Sequence, residues 1–122
     1  MADESTPWPT ELRVSSDRKT LAIAFDNGAK NELSAEYLRV CSPSAEVKGH
    51  APSQKKTVPG KRKVEIIKVE PVGNYAVRIH FDDMHNTGIY SWSYLFDLGQ
   101  RPENHWGVYL KELAQKGLSR DP

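Results

Sequence analysis

The stretch Leu21-Ala22-Ile23-Ala24-Phe25-Asp26-Asn27-Gly28 sets large apolar side chains alternately with alanine and then stops at a tight-turn signal. Val77-Arg78-Ile79-His80-Phe81-Asp82 repeats the alternation in the second half of the chain. Side chains two apart on a strand share a face, so each stretch predicts a strand with one apolar face. Upstream of the first, Leu12 and Val14 alternate with polar residues and Ser15-Ser16-Asp17 reads as a turn, which makes a β-hairpin. Downstream, Asn27 and Gly28 tolerate positive φ and Lys30 to Leu33 returns as a short strand. Ser34 then reads as the N-cap of a short helix carrying Glu36, Tyr37 and Leu38 and ending near Cys41, before Pro43.

The second stretch is flanked in the same way. Val64, Ile66 and Val69 precede it, a break runs from Pro71 through Asn74, and Tyr75 joins Val77, Ile79 and Phe81 in the alternation. Asp82-Asp83 makes the turn, Gly88 to Tyr90 returns as a strand, and Ser91 caps a helix through Tyr94, Leu95 and Leu98. Pro102 opens a final helix on which Trp106, Leu110, Leu113 and Ala114 are assigned to one face, with Gly117 as its C-cap. The plan of strand, acidic turn, return strand and serine-capped helix thus occurs twice, with the register shifted by one residue between the copies; a chance likeness of two short patterns is the alternative. The expected fold is α+β: small antiparallel β-sheets from two hairpin-helix (ββα-like) halves plus a C-terminal helix. Residues 1–11 are expected to form a flexible N-terminal arm, 12–117 one domain, and 118–122 a C-terminal tail.

With 122 residues, 38% hydrophobic, 27% charged and a net charge of +1, the chain falls among ordinary single-domain globular proteins. It has no apolar run of the roughly 20 residues that a bilayer span needs, and its first residues are acidic where a signal peptide is basic and then apolar. A cytoplasmic location without membrane attachment is expected. Cys41 is the sole cysteine, which excludes an internal disulfide and any zinc site built from several thiolates of this chain. Residues 47–63 carry Lys48, Lys55, Lys56, Lys61, Arg62 and Lys63 without an acid and read as a long, solvated basic loop. They lack the interleaved aromatics of single-strand binders, so nucleic acid is not an expected partner.

Catalytic patterns are weak. His80-Phe81-Asp82 spells the His-x-Asp pair of a facial iron triad, but a third ligand on a neighbouring strand is missing, and a strand histidine followed by a turn aspartate is the plainer reading. Cys41 sits near a helix C-terminus with no histidine or aspartate beside it in sequence, which suits a packing residue better than a nucleophile. His50 and His85 occupy polar, turn-rich stretches and read as solvated loop histidines.

Three segments carry a resemblance: Tyr37 to His50 (Tyr-Leu-Arg-Val-Cys-Ser-Pro-Ser-Ala-Glu-Val-Lys-Gly-His), Pro71 to Val77, and Phe81 to Trp92 (Phe-Asp-Asp-Met-His-Asn-Thr-Gly-Ile-Tyr-Ser-Trp). They resemble the bacterial stand-alone members of the gamma-butyrobetaine hydroxylase-like N-terminal domain family over roughly residues 12–99. In the hydroxylases, the resemblance implies, three cysteines after the Leu-Arg element and a histidine in the later acidic turn bind structural zinc. The cysteine positions here are Ser42, Ser44 and Val47, while the histidine position is His85. Neutral hydroxyls and a valine do not replace thiolates, so no metal or other cofactor is expected.

In the hydroxylases this domain precedes the catalytic barrel and assists subunit association; relatives are fused to P-loop ATPases of iron-sulfur cluster delivery. The expectation is therefore a non-catalytic binding or adaptor module, with Arg39, Ser42, Ser44, Glu46, His50 and His85 as its binding residues. Its partner would be a protein or an anionic small molecule, and a homodimer is compatible with the sequence. The rival is a metal-handling accessory protein of iron or iron-sulfur metabolism, using His50, His85 and Cys41 or Glu46 in a weak or intersubunit site.

Overall fold

The computed structural model describes residues 7–44, 47 and 56–122. Strands β1 (Pro9–Val14), β2 (Thr20–Phe25) and β3 (Lys30–Ser34) form an antiparallel sheet in that order and lead into helix α1 (Ala35–Val40). Strands β4 (Ile66–Val72), β5 (Ala76–Phe81) and β6 (Ile89–Ser91) form a second antiparallel sheet, followed by α2 (Trp92–Gln100) and α3 (Pro102–Lys116). The mixed α+β class expected from the sequence is the one observed. Leu21, Ile23 and Phe25 of one sheet and Val77, Ile79 and Phe81 of the other bury their common faces in one core with Leu38, Tyr90, Leu95 and Leu98.

The repeat seen in the sequence extends to individual hydrogen bonds. Phe25 N–H donates to the Ala29 carbonyl, and Phe81 N–H to that of His85. Ala35 N–H donates to the Lys19 carbonyl, and Trp92 N–H to that of Tyr75. Ser34 caps α1 through Tyr37 N–H, as Ser91 caps α2 through Tyr94 N–H. The two helices then exchange contacts: Tyr37 donates its phenol to the Leu98 carbonyl, and Tyr94 donates its own to Cys41. Each phenol satisfies a carbonyl near the other helix's end, where no intrahelical donor reaches, so the halves lock reciprocally. The shift in register comes from an extra residue after the turn, between His85 and β6.

The repeat also isolates a strained position. Gly28 at φ +91° and Met84 at φ +73° occupy equivalent turn sites, their N–H groups bonding to the Phe25 and Phe81 carbonyls. A Cβ in the left-handed region costs about 1–2 kcal/mol, and the Met84 side chain is 85% exposed, so little packing offsets it. Met84→Gly is expected to stabilise the protein by about 0.5–1 kcal/mol, after the entropy that glycine adds to the unfolded chain; urea denaturation measures it.

Four sequence expectations need correction. Regular structure reaches into the expected arm: β1 begins at Pro9, Asp26 N–H donates to the Trp8 carbonyl, and Trp8 N–H donates to Asp26 Oδ1. Pro71 does not break β4, which runs on to Val72; β4 is a sheet edge, and the missing proline N–H is tolerated there. Tyr75 lies in the β4–β5 turn and is 56% exposed, outside the alternation. On α3 the inward stripe is the buried Tyr109 and Leu113 with the half-buried Trp106, while Leu110 and Ala114 face outward. Tyr109 wins the inward place because its phenol donates to the Val58 carbonyl at 2.6 Å, a partner that helical periodicity does not reveal.

The end of the basic loop and residues 118–122 are docked rather than loose. Lys56 N–H bonds to the Val47 carbonyl, and Thr57 bonds to Glu112 and Lys116 of α3. Gly60 and Arg62 donate their N–H groups to the carbonyls of Ser119 and Arg120. Among the described residues, no helix is long and apolar enough to cross a membrane.

Candidate functional site

Four of the six sequence-derived binding residues meet between the C-terminal end of α1 and the turn after β5. Ser42 Oγ lies 2.9 Å from His85 Nε2 and accepts from Ser44 N–H at 3.2 Å; Ser44 Oγ lies 2.7 Å from Thr87 Oγ1. Arg39 donates Nε–H to Asp83 Oδ2 at 2.7 Å, Lys61 Nζ reaches the same oxygen at 2.7 Å, and His85 N–H bonds to Asp83 Oδ1. Glu46 and His50 lie outside the described residues.

His85 is 5% exposed, which corrects its reading as a solvated loop histidine, and Ser42 and Ser44 are buried with it. The stretch that looked too polar for a core is buried because its hydroxyls have partners one turn away in space, which is the condition for burying polar groups. Packing there is tight. A Cβ on Gly88 would stand 2.5 Å from Ser42 Oγ and 3.2 Å from a ring carbon of Tyr90. Gly88→Ala is therefore expected to cost about 1–3 kcal/mol. Ser42→Ala removes the closest clashing atom, so the double variant should lose less than the sum of the two single ones in a thermal-denaturation cycle.

Electrostatics centres on Asp83. Burial works to raise its pKa, but hydrogen bonds from Lys61, Arg39 and the His85 N–H overcome this and hold the carboxyl at about 2. A folded-state pKa below the unfolded value of 3.8 contributes stability that is present above about pH 4 and is lost as the pH falls toward 2. Asp83→Asn should lack this acid-dependent phase when melting temperature is followed from pH 5 to about pH 2. Lys61 is a site residue that its place in a charge-rich loop did not single out. Arg39 is 9% exposed, and its Nη1 is buried with no hydrogen-bond partner.

The donor set does not fit zinc. At the positions that the family resemblance relates to metal ligands stand two hydroxyls and the buried aliphatic Val47, and the Nε2 of the remaining imidazole already faces Ser42. Among the described residues no group of three or more His, Cys, Asp or Glu could hold a metal ion. His80 does not join Asp82 in a ligand pair but hydrogen-bonds to Glu70 at 3.0 Å. Cys41 is the half-buried C-cap of α1.

Two three-stranded meanders, each ending in a serine-capped helix and sharing one core, define the class: a small α+β domain of duplicated plan. The chain belongs to the gamma-butyrobetaine hydroxylase-like N-terminal domain family, whose model matches residues 12–96. Two proteins solved in solution by NMR are similar, at 46% and 41% identity, each with a TM-score of 0.82 and 97% of this chain covered. The alignments cover 88% and 93% of those chains respectively. A crystal structure of a protein of unknown function from Acidithiobacillus ferrooxidans, of the DUF971 family, is 37% identical with a TM-score of 0.63 over 75% of this chain and 91% of that one. Among curated proteins none matches.

Proposed function

We propose that this protein is a non-catalytic binding module of the cytoplasm whose contact face surrounds Arg39, Lys61 and the turn at Asp83, and whose partner is anionic there. The observation that carries the reading is an imbalance of charge. Two cations share one oxygen of Asp83, leaving a net positive centre, and a buried guanidinium nitrogen of Arg39 has a hydrogen still to donate. Lys61, whose side chain is 23% exposed, can reach a carboxylate or phosphate from that centre through a charge-assisted hydrogen bond. Ser42, Ser44 and His85 act beneath that face: their mutual hydrogen bonds hold the turn that presents Asp83.

The test is an NMR titration of the isotope-labelled protein with a glutamate-rich peptide and, separately, inorganic phosphate at low salt. Saturable shifts at Arg39, Lys61 and Asp83 that weaken with added salt and disappear in Lys61→Glu are expected. No shift with either probe, or equal shifts in Lys61→Glu, would sink the reading.

A further inference from the structure

At the other end of α1 the molecule holds a guanidinium in a formed receptor. Glu36, in the first turn of α1, is 6% exposed, and both its oxygens accept from Arg120, from Nε and Nη2 at 2.7 Å each. The Arg120 guanidinium also lies 5.0 Å from the centre of the Trp106 ring. A two-pronged carboxylate and an aromatic face together recognise arginine; the point charge of lysine matches neither the fork nor the stack.

The residues carrying that guanidinium are seated as an extended peptide. The carbonyls of Ser119 and Arg120 accept from the N–H groups of Gly60 and Arg62 at 2.9 and 3.0 Å, and the next residue, Asp121, pairs with Arg62 Nε. Backbone pairing combined with a side-chain anchor is how sheet-edge peptide receptors hold their ligands. The segment follows the α3 C-cap Gly117, at φ +64°, and beyond Arg120 a groove of about 610 Å³ runs on between β3 and α3, lined by Lys30, Glu32, Glu103 and Trp106.

We propose that the Glu36–Trp106 notch is a recognition site for an arginine-bearing extended peptide of a protein partner, and that residues 118–122 occupy it as an intramolecular ligand. The segment then sets a threshold. Tethered beside its site at an effective concentration in the millimolar range, it yields only to a partner that binds better, for instance one that also fills the adjoining groove. This goes beyond the anionic-partner reading and stands on separate residues.

The experiment uses the full chain carrying Arg120→Ala and the pentapeptide Leu-Ser-Arg-Asp-Pro, with the Trp106 indole N–H followed by NMR. Saturable binding is expected, at least about 10-fold tighter than to the wild-type chain, whose own segment competes. A peptide with lysine in place of arginine should bind about 10-fold more weakly, and adding Glu36→Gln should abolish binding. If Arg120→Ala does not fold, Arg120→Lys takes its place with the same peptides. A folded variant whose Trp106 signal stays unmoved up to about 10 mM peptide, or which binds the lysine peptide equally well, overturns the proposal. A folded second copy donating the segment would appear instead as concentration-dependent dimerisation of the wild-type chain without peptide binding to the variant, and would equally overturn it.

Discussion

Arg120→Ala should lower the stability of this protein by about 2–3 kcal/mol, shifting its melting temperature down by roughly 10 °C, although it alters a residue outside every strand and helix. The cause is what the substitution leaves behind. The Glu36 side chain is 7% exposed and its two oxygens have Arg120 as their charged partner, so removing the guanidinium strands a carboxylate away from water. Breaking a fully buried pair from one side costs about 3–5 kcal/mol; the Arg120 side chain is 30% exposed, which places this pair below that range. Glu36→Ala should cost less, about 1 kcal/mol, because the orphaned guanidinium keeps its stack on Trp106 and can reach solvent. Glu36→Ala combined with Arg120→Ala should likewise be milder than Arg120→Ala alone. Urea denaturation of the four proteins gives the coupling, and equal losses for the two single variants would contradict the asymmetry.

The triple variant Ser42→Cys, Ser44→Cys, Val47→Cys should take up one zinc ion per chain, where the wild-type protein is expected to hold far less than one. Zinc needs four donors in a tetrahedron at about 2.0–2.3 Å. His85 Nε2 and Ser42 Oγ already stand 2.9 Å apart, Ser44 N–H bonds to that oxygen, and Val47 N–H bonds to the Ser44 carbonyl, so hydrogen bonds link the four positions one to the next. Zinc binding to a formed thiolate site is strong enough to raise the melting temperature well above that of the wild type, and a chelator should reverse the gain. Adding His85→Ala should weaken retention. Plasma mass spectrometry on protein purified without chelators decides it. Near-stoichiometric metal in the wild-type chain would instead favour the metal-handling reading, and a triple variant that folds without zinc would undo the positional match to the family's metal ligands.

Much of the fold was readable because its signals are local. Alternation at Leu21, Ile23, Phe25 and at Val77, Ile79, Phe81 marks strands with one apolar face, and Ser34 and Ser91 announce the two helices because a hydroxyl bonds a free N–H three residues on. The duplication was visible for the same reason, since both halves repeat one order of local signals. The site was half visible. Arg39, Ser42, Ser44 and His85 were singled out through the family resemblance, but as exposed binding residues; only their neighbours across the fold show that they are buried, Ser42 against His85, Ser44 against Thr87 and Arg39 against Asp83.

Among the described residues, the amino-acid order by itself determined the two sheets, the helices that follow them and their order, because each depends on spacing and on groups a few residues apart. The tertiary structure alone decided which polar groups are interior and which charges meet: Lys61 with Asp83, Arg120 with Glu36, Tyr37 and Tyr94 each with the other half's helix. Hydropathy reports the average environment of a residue type. Whether a serine, histidine or arginine is buried turns on a partner dozens of residues away, whose arrival depends on how the two halves pack.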